Sequence, residues 1–327
     1  MTLDLLGYAA FFLTNALTFG IICLGLNLQW GQTGLFNVGI AGFVAIGAYT
    51  SALLTTPDAP GRFGGFDMPI VVGWLAAALV TGLAALVIGA VTLRLRSDYL
   101  AITTFGVAVS IQLLALNFQG LTGGPFGIAF IPRPFASLQG NALAFDLANF
   151  LLVAAVTLIV FAGLERLVRG PWGRVLRAIR EEEMAAAAIG KNARVYRLQA
   201  FVLGSAVMGL AGAVQGHFIG FIAPDNYLST VTFQVWVMLV VGGAGNNRGA
   251  LLGAVVVWGL WSASSALTAT IFPPEQQARA ASLQIVLIGV LLAVILVVRP
   301  RGLLAEHTTV SRFVGRNAKQ RLPADPQ

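Results

Sequence analysis

The chain has 327 residues, 57% of them hydrophobic and only 10% charged, with a mean hydropathy of +0.83. Soluble domains carry roughly 25% charged residues, so this composition excludes one and points to a polytopic helical membrane protein. The net charge of +7 has the sign of a nucleic-acid binder, but the basic residues gather between apolar stretches, and no nucleic-acid partner is expected.

Charge-free windows near the ~20 residues that cross ~30 Å of hydrocarbon predict spans at 5–28, 34–56, 69–93, 99–118, 147–164, 198–222, 229–243, 249–271 and 282–298. The expected fold is therefore all-α, with about eight to ten transmembrane helices, some broken or re-entrant. The barrel signature of alternating segments of about ten residues does not occur. Residues 1–304 are expected to form the membrane domain and 305–327 a polar, basic tail suited to an anionic inner leaflet.

In chain order, the opening Met-Thr-Leu-Asp lacks the basic start of a signal peptide, so the first span is expected to be retained. Cys23, the single cysteine, lies in that span and offers neither a disulfide nor a cysteine metal site. After Asn27-Leu28-Gln29-Trp30 come Gly31, Gly34, Gly39, Gly42 and Gly47. Such glycines permit either close helix packing or an interrupted helix at membrane depth. A similar texture returns at Gly242, Gly243, Gly245, Gly249 and Gly253, which hints at an internal repeat with two discontinuous helices.

The 57–68 stretch reads as a turn-rich loop. From Gly120 to Gly127 the chain reads Gly-Leu-Thr-Gly-Gly-Pro-Phe-Gly, in which the N–H groups of Gly123 and Gly124 either meet a carboxylate or simply make a sharp turn. The stretch from there to Asp146 is expected to cap the outer face.

Glu165 to Gln199 is the one long polar island, with Arg166, Arg169, Arg174, Arg177, Arg180, Lys191, Arg194 and Arg197. Pro171 suits a helix entry, Val175, Leu176, Ile179, Ala186 and Ile189 recur at roughly helical spacing, and Gly190 suits a left-handed stop. One helix over about 173–190 is expected, with Arg177 and Glu181 spaced for an ion pair. It serves either as a solvated connector that fixes topology or as a docking helix for a soluble partner. Further on, His217 is either a residue of a transport path or a neutral ring bonded between helices.

Alternating the spans from an outside N-terminus places all 20 Lys and Arg residues except Arg62, Arg133 and Arg279 on one side. By the positive-inside rule that side, with the island and the C-terminus, is cytoplasmic.

Grouped catalytic residues do not occur. His217 and His307 fall on opposite sides, neither His-Glu-x-x-His nor Gly-x-Ser-x-Gly is present, and no metal-ligand set appears. The predicted spans hold no Asp, Glu, Lys or Arg, which argues against a proton-driven carrier; sodium coupling stays open. A Walker loop needs Gly-x-x-x-x-Gly-Lys-Ser/Thr, yet Gly190-Lys191 is followed by Asn192. The chain is thus a channel, or its energy comes from another polypeptide that grips the island.

Several motifs then carry a resemblance. The run from Arg177 to Gly190, Arg-Ala-Ile-Arg-Glu-Glu-Glu-Met-Ala-Ala-Ala-Ala-Ile-Gly, resembles the coupling loop of ABC-importer permeases. Leu24-Gly25-Leu26-Asn27-Leu28, Ser97-Asp98-Tyr99-Leu100-Ala101-Ile102, Leu121-Thr122-Gly123-Gly124-Pro125, Val241-Gly242-Gly243-Ala244-Gly245 and Arg299-Pro300-Arg301-Gly302-Leu303 look like the high-affinity branched-chain amino-acid permease family, LivM branch.

The resemblance implies an importer permease in a bacterial inner membrane, paired with a second, homologous permease. Two ATPase subunits that use the ATP and a periplasmic substrate-binding protein would complete the assembly, and this chain would bind no cofactor. It turns the island into a docking helix, with Arg177, Arg180, Glu183, Ala185, Ala186 and Gly190 as coupling residues; Glu183, Ala185, Ala186 and Gly190 match the motif itself. The Leu-Pro that ends the general motif is replaced by Leu198-Gln199-Ala200 near that place. Alternating access along a path of small and amide groups makes Asn27, Asn37, Thr122, Gly123, Gly124 and His217 its candidates. Urea, short amides and aromatic acids stay open as solutes, a stand-alone channel or ion-coupled carrier as the other class, and a membrane enzyme as the third.

Overall fold

The computed structural model describes residues 2–58, 61, 63–271 and 302–306, with positions 282, 283, 286, 289, 290, 294 and 297. Among them eleven α-helices follow one another: α1 (Thr2–Leu26), α2 (Ile40–Thr55), α3 (Ile70–Thr92), α4 (Ser97–Asn117), the single turn α5 (Gln119–Thr122), α6 (Ala142–Arg169), α7 (Pro171–Glu181), α8 (Glu183–Ala188), α9 (Ala193–Ile219), α10 (Ser229–Gly242) and α11 (Asn247–Ile271). Among the described residues six helices are long and apolar enough to cross a membrane, and there is no β-strand, only the isolated bridge Ile128–Ile222. Lipid offers backbone groups no partner, which is why unbroken apolar runs resolve as helices.

The helices sort large and small side chains in the manner of a membrane protein. On α3 the small Gly73, Ala77, Thr81, Gly82, Ala85 and Gly89 face inward, while Leu75, Leu79, Leu83 and Val87 are exposed. Packing rather than hydrophobic burial holds such helices, so small residues sit where backbones meet. The centre is α9, buried over most of Ala200 to Phe218, with Val202, Leu203, Ala206, Val207 and Leu210 as its more exposed stripe, and packed on α1, α2 and α3. Its closest neighbour is α2, since a Cβ on Gly47 would stand 2.0 Å from the Gly209 carbonyl oxygen and one on Gly212 2.1 Å from that of Val44.

Eight of the expected spans appear as helices, with three differences. The 198–222 span runs from Ala193 to Ile219, since Asn192 caps its start by accepting from Val195 N and Gly220 ends it. The 34–56 span is helical only from Ile40, its first six residues being irregular backbone inside the fold. The 147–164 span runs from Ala142 to Arg169, because Asn141 caps its start by accepting from Ala144 N and polar residues occupy both ends. The ninth span lies largely outside the described residues, though its seven described positions are helical; His307, Arg62, Arg279 and the tail beyond Glu306 also lie outside them.

Antiparallel packing defines two ends. The end of α3 meets the start of α9, where a Cβ on Gly89 would touch Leu198 and Phe201, so Arg94, Arg96, the island and Arg248 share one end. At the opposite end the 118–141 segment lies across the bundle: Ile128 and Ile222 exchange both backbone bonds at 2.8 and 3.0 Å, and Arg133 donates to the Ile219 carbonyl.

Candidate functional site

Two helix breaks meet at the island end. The first follows α1, which winds through a π turn at Asn27–Gly31 and then passes as irregular backbone, residues 34–39, before α2 begins. This backbone runs inside the bundle and finds its partners there. Leu35 N donates to Gln29 O at 3.0 Å, Val38 N to the Thr104 hydroxyl at 3.0 Å and Gly39 N to Asn37 Oδ1 at 2.8 Å, while Trp236 Nε1 donates to Asn37 O at 3.0 Å. Non-helical backbone at membrane depth is tolerable only with such replacements. The second break, Gly243 to Asn246, separates α10 from α11.

Side-chain amides hold the breaks together. Asn27 accepts from Gly245 N at 2.8 Å and donates to Asn247 Oδ1 at 2.8 Å; Asn247 in turn donates to Glu165 Oε2 at 2.7 Å. Gln32 donates to Gly245 O at 2.9 Å. A Cβ on Gly31 would stand 2.5 Å from Gly245 N, so the contact admits no side chain. Gln29 is a second hub: its amide nitrogen donates to Phe201 O at 2.9 Å and Ser205 Oγ at 3.0 Å, and its oxygen accepts from Asn37 at 2.8 Å. Asn27, Gln29 and Asn37 are all 0% exposed, with their amides engaged. A satisfied buried network of this kind fixes one arrangement.

The island docks on these breaks. Pro171 occupies the first turn of α7, and Trp172 Nε1 donates to Gln199 at 2.8 Å. The expected single helix over 173–190 is instead two, because Glu182 takes extended backbone (φ −151°, ψ 98°) between α7 and α8; Gly190, at φ +78°, makes the left-handed stop. Leu176 and Ile179 bury one face of α7, and Ala186 packs on Ile179 and Ala193. Arg177 and Arg180 turn inward. Arg177 donates to Gln32 at 3.3 Å and Val168 O at 3.4 Å, replacing the expected partner Glu181. Arg180 donates to Gly31 O and, in a fork, to both oxygens of Glu306 at 3.0 and 2.9 Å. Glu183 pairs with Arg197 at 2.7 Å. Facing outward are Ala185, Gly190, and the apolar Met184 and Ile189, which are 76% and 72% exposed.

The remaining candidates lie at the opposite end. Gly123 and Gly124 take positive φ (+75° and +59°), and their N–H groups bond to Gln119 O at 3.0 Å and the Thr122 hydroxyl at 3.2 Å. The stretch is a sharp turn with those donors engaged. His217 sits between helices: Nδ1 donates to Pro132 O at 2.7 Å, so Nε2 accepts from the Ser51 hydroxyl at 2.8 Å.

The family described as branched-chain amino acid transport system / permease component matches residues 8–296. The chain belongs to this family. Among relatives of this permease, the high-affinity branched-chain amino acid transport system permease protein LivM of Escherichia coli (strain K12) is 34% identical over 267 residues, 75% of this chain and 60% of the relative. The match thus spans only about three fifths of that relative's length. A probable branched-chain amino acid transport permease protein LivM of Methanocaldococcus jannaschii is 28% identical, covering 89% of this chain and 91% of its own. The guanosine ABC transporter permease protein NupQ of Bacillus subtilis (strain 168) is also 28% identical, over 74% and 72%. No solved structure matches the chain.

The sequence marks the polar island and both glycine-rich stretches but not the roles of Gln29, Gln32, Glu165, Asn247 and Glu306. Each has a decisive partner far away in the chain (Phe201 for Gln29, Gly245 for Gln32, Asn247 for Glu165, Asn27 for Asn247 and Arg180 for Glu306), and local spacing marks only the Glu165–Arg169 pair. A signal was present only in the amides that close the first span, at the edge of an apolar run where an unpaired amide is costly.

Proposed function

We propose that this chain is a permease subunit of an ATP-binding-cassette importer for branched-chain or closely related amino acids. It works in a bacterial inner membrane with a second permease, two ATPases and an external binding protein. The observation that carries the reading is the family match over residues 8–296, joined to an island whose inner face grips both helix breaks. Its outer face presents Met184 and Ile189 to a partner, and exposed apolar side chains on a polar loop are what a docked subunit would cover. Coupling then runs from the ATPases through α7 and α8 into the breaks, and the basic residues at the island end support a cytoplasmic location for it.

An apolar crevice of about 380 Å³ between α2 and α4 includes Ile46, Leu53, Ile111, Leu114 and Thr122 in its lining. Tyr49 also lines it, and its buried hydroxyl has no hydrogen-bond partner among the described residues. Such a lining suits an aliphatic side chain better than a purine and supports Thr122 as a path residue. Guanosine is the second reading, favoured by the relative named for it. The test is ATP-driven uptake into vesicles holding the full complex, with radiolabelled leucine competed by valine, guanosine or urea. Leucine uptake that needs both ATP and the ATPases supports the importer. Uptake by this chain alone would overturn it in favour of a channel or carrier, and guanosine as the better competitor would overturn the solute assignment.

A further inference from the structure

We infer that Arg180 and Glu306 form a latch that carries movement of the docking helix into the two helix breaks, with both residues acting as positioning groups for transport. The inference rests on the importer reading. Residues 302–306 lie as a strap across the end of α10. Leu303 N donates to Val241 O at 2.8 Å and Leu304 N to Gly242 O at 3.0 Å, satisfying carbonyls that a helix end leaves without intrahelical partners. Asn246 Nδ2 donates to Ala305 O at 3.3 Å, and a Cβ on Gly245 would stand 2.8 Å from the Glu306 carboxylate carbon. The strap therefore belongs to the second break.

Arg180 joins three parts. One guanidinium nitrogen donates to the carbonyl of Gly31, the last residue of the π turn in the first break. Another forks onto both carboxylate oxygens of Glu306. The side chains are 24% and 28% exposed, sheltered enough for a forked charge-assisted pair to hold a fixed direction. Arg180 projects from α7, which leads through the extended Glu182 into α8 and the exposed Met184 and Ile189. A shift of α7 must either drag both breaks with it or open the pair.

The test uses the complete complex in vesicles and measures uptake and ATP hydrolysis together for wild type, Arg180→Glu, Glu306→Arg, Glu306→Gln and the double reversal Arg180→Glu/Glu306→Arg. Each single reversal is expected to keep hydrolysis near wild type while uptake per ATP falls about tenfold, within the usual range of coupling between sites. Glu306→Gln is expected to fall less, because one acceptor oxygen remains. The double reversal should recover at least about threefold over the singles, incompletely, since a carboxylate at position 180 has no donor for the Gly31 carbonyl. Single reversals with wild-type uptake per ATP would overturn the latch. So would parallel loss of hydrolysis, uptake and melting temperature with no recovery in the double variant, which would mark a static clamp. A wild-type complex that hydrolyses ATP without moving any amino acid would instead overturn the importer reading.

Discussion

Asn37 donates to the side-chain oxygen of Gln29 at 2.8 Å, and this one bond ties the irregular backbone before α2 to the π turn that closes α1. The other half of the Gln29 amide reaches α9 at Phe201 and Ser205. Neither residue is exposed, so the pair has no water to fall back on.

Replacing Gln29 by Leu should therefore destabilise the fold well beyond the loss of one hydrogen bond. It strands the Asn37 amide and removes the donor to the Ser205 hydroxyl, and each buried orphan costs about 1–3 kcal/mol; the Phe201 carbonyl, inside α9, loses only its second donor. Gln29→Glu keeps an acceptor for Asn37 but removes the donor to Phe201 and Ser205. Thermal melting in detergent should order the proteins as wild type, then Glu, then Leu only if the Glu is protonated at that depth; an ionised Glu should be the worst of the three. A Leu variant that melts with wild type would remove the hub from the account.

The interface of α2 with α9 allows a second prediction. Gly47 and Gly212 lie where a methyl group would sit 2.0–2.1 Å from the facing carbonyl oxygens. Gly47→Ala and Gly212→Ala should each force the helices apart at a cost of about 1–3 kcal/mol. Gly163, inside α6, whose added Cβ would meet nothing within 4 Å, is the control, and Gly163→Ala should hold the melting temperature or raise it slightly, since Ala favours a helix over Gly. Equal melting temperatures for all three would show that the two helices slide without penalty.

What was legible in the sequence follows from how far each interaction reaches. Spans such as 69–93 are fixed by a local demand, an apolar run long enough for the hydrocarbon, and α3 at Ile70–Thr92 matches it within a residue at each end. The break before α2 was half visible, because glycines permit it but do not demand it. The break at Glu182 was invisible: the apolar stripe passes across it in the letters, and only the packing of Ala186 under Ile179 shows where the helix turns. Asn27 with Asn247 and Arg180 with Glu306 join residues remote in sequence, and a single chain carries no sign of such pairs.

The outer face of the island predicts how partners are held. Met184→Asp and Ile189→Asp put charge on side chains that contribute little to the fold of this chain, so melting should hold while co-purification of the ATPases falls about tenfold, the loss expected when apolar anchors of an interface are removed. Glu183→Arg acts differently. It sets two cations in place of the 2.7 Å pair with Arg197, loosening α8 from α9, and Gly190→Pro removes the φ of +78° at its stop. Both should uncouple uptake from hydrolysis in a folded, inserted protein. Unchanged uptake and unchanged ATPase recovery in all four variants would reduce the island to a connector.

Topology can be read chemically, since Cys23 is fully buried and the native chain should be silent to a membrane-impermeant maleimide. Met184→Cys places a thiol on the island, and Phe126→Cys, at a side chain 85% exposed, places one at the opposite end. The basic residues concentrate beside Met184, and translocating them against the membrane potential would cost ~2.3 kcal/mol per charge per 100 mV. In sealed cells Phe126→Cys should react at once, while Met184→Cys should react only after permeabilisation. The reverse pattern would put the island outside, where no ATPase could reach it, and the coupling route through Arg180 would have no source of force.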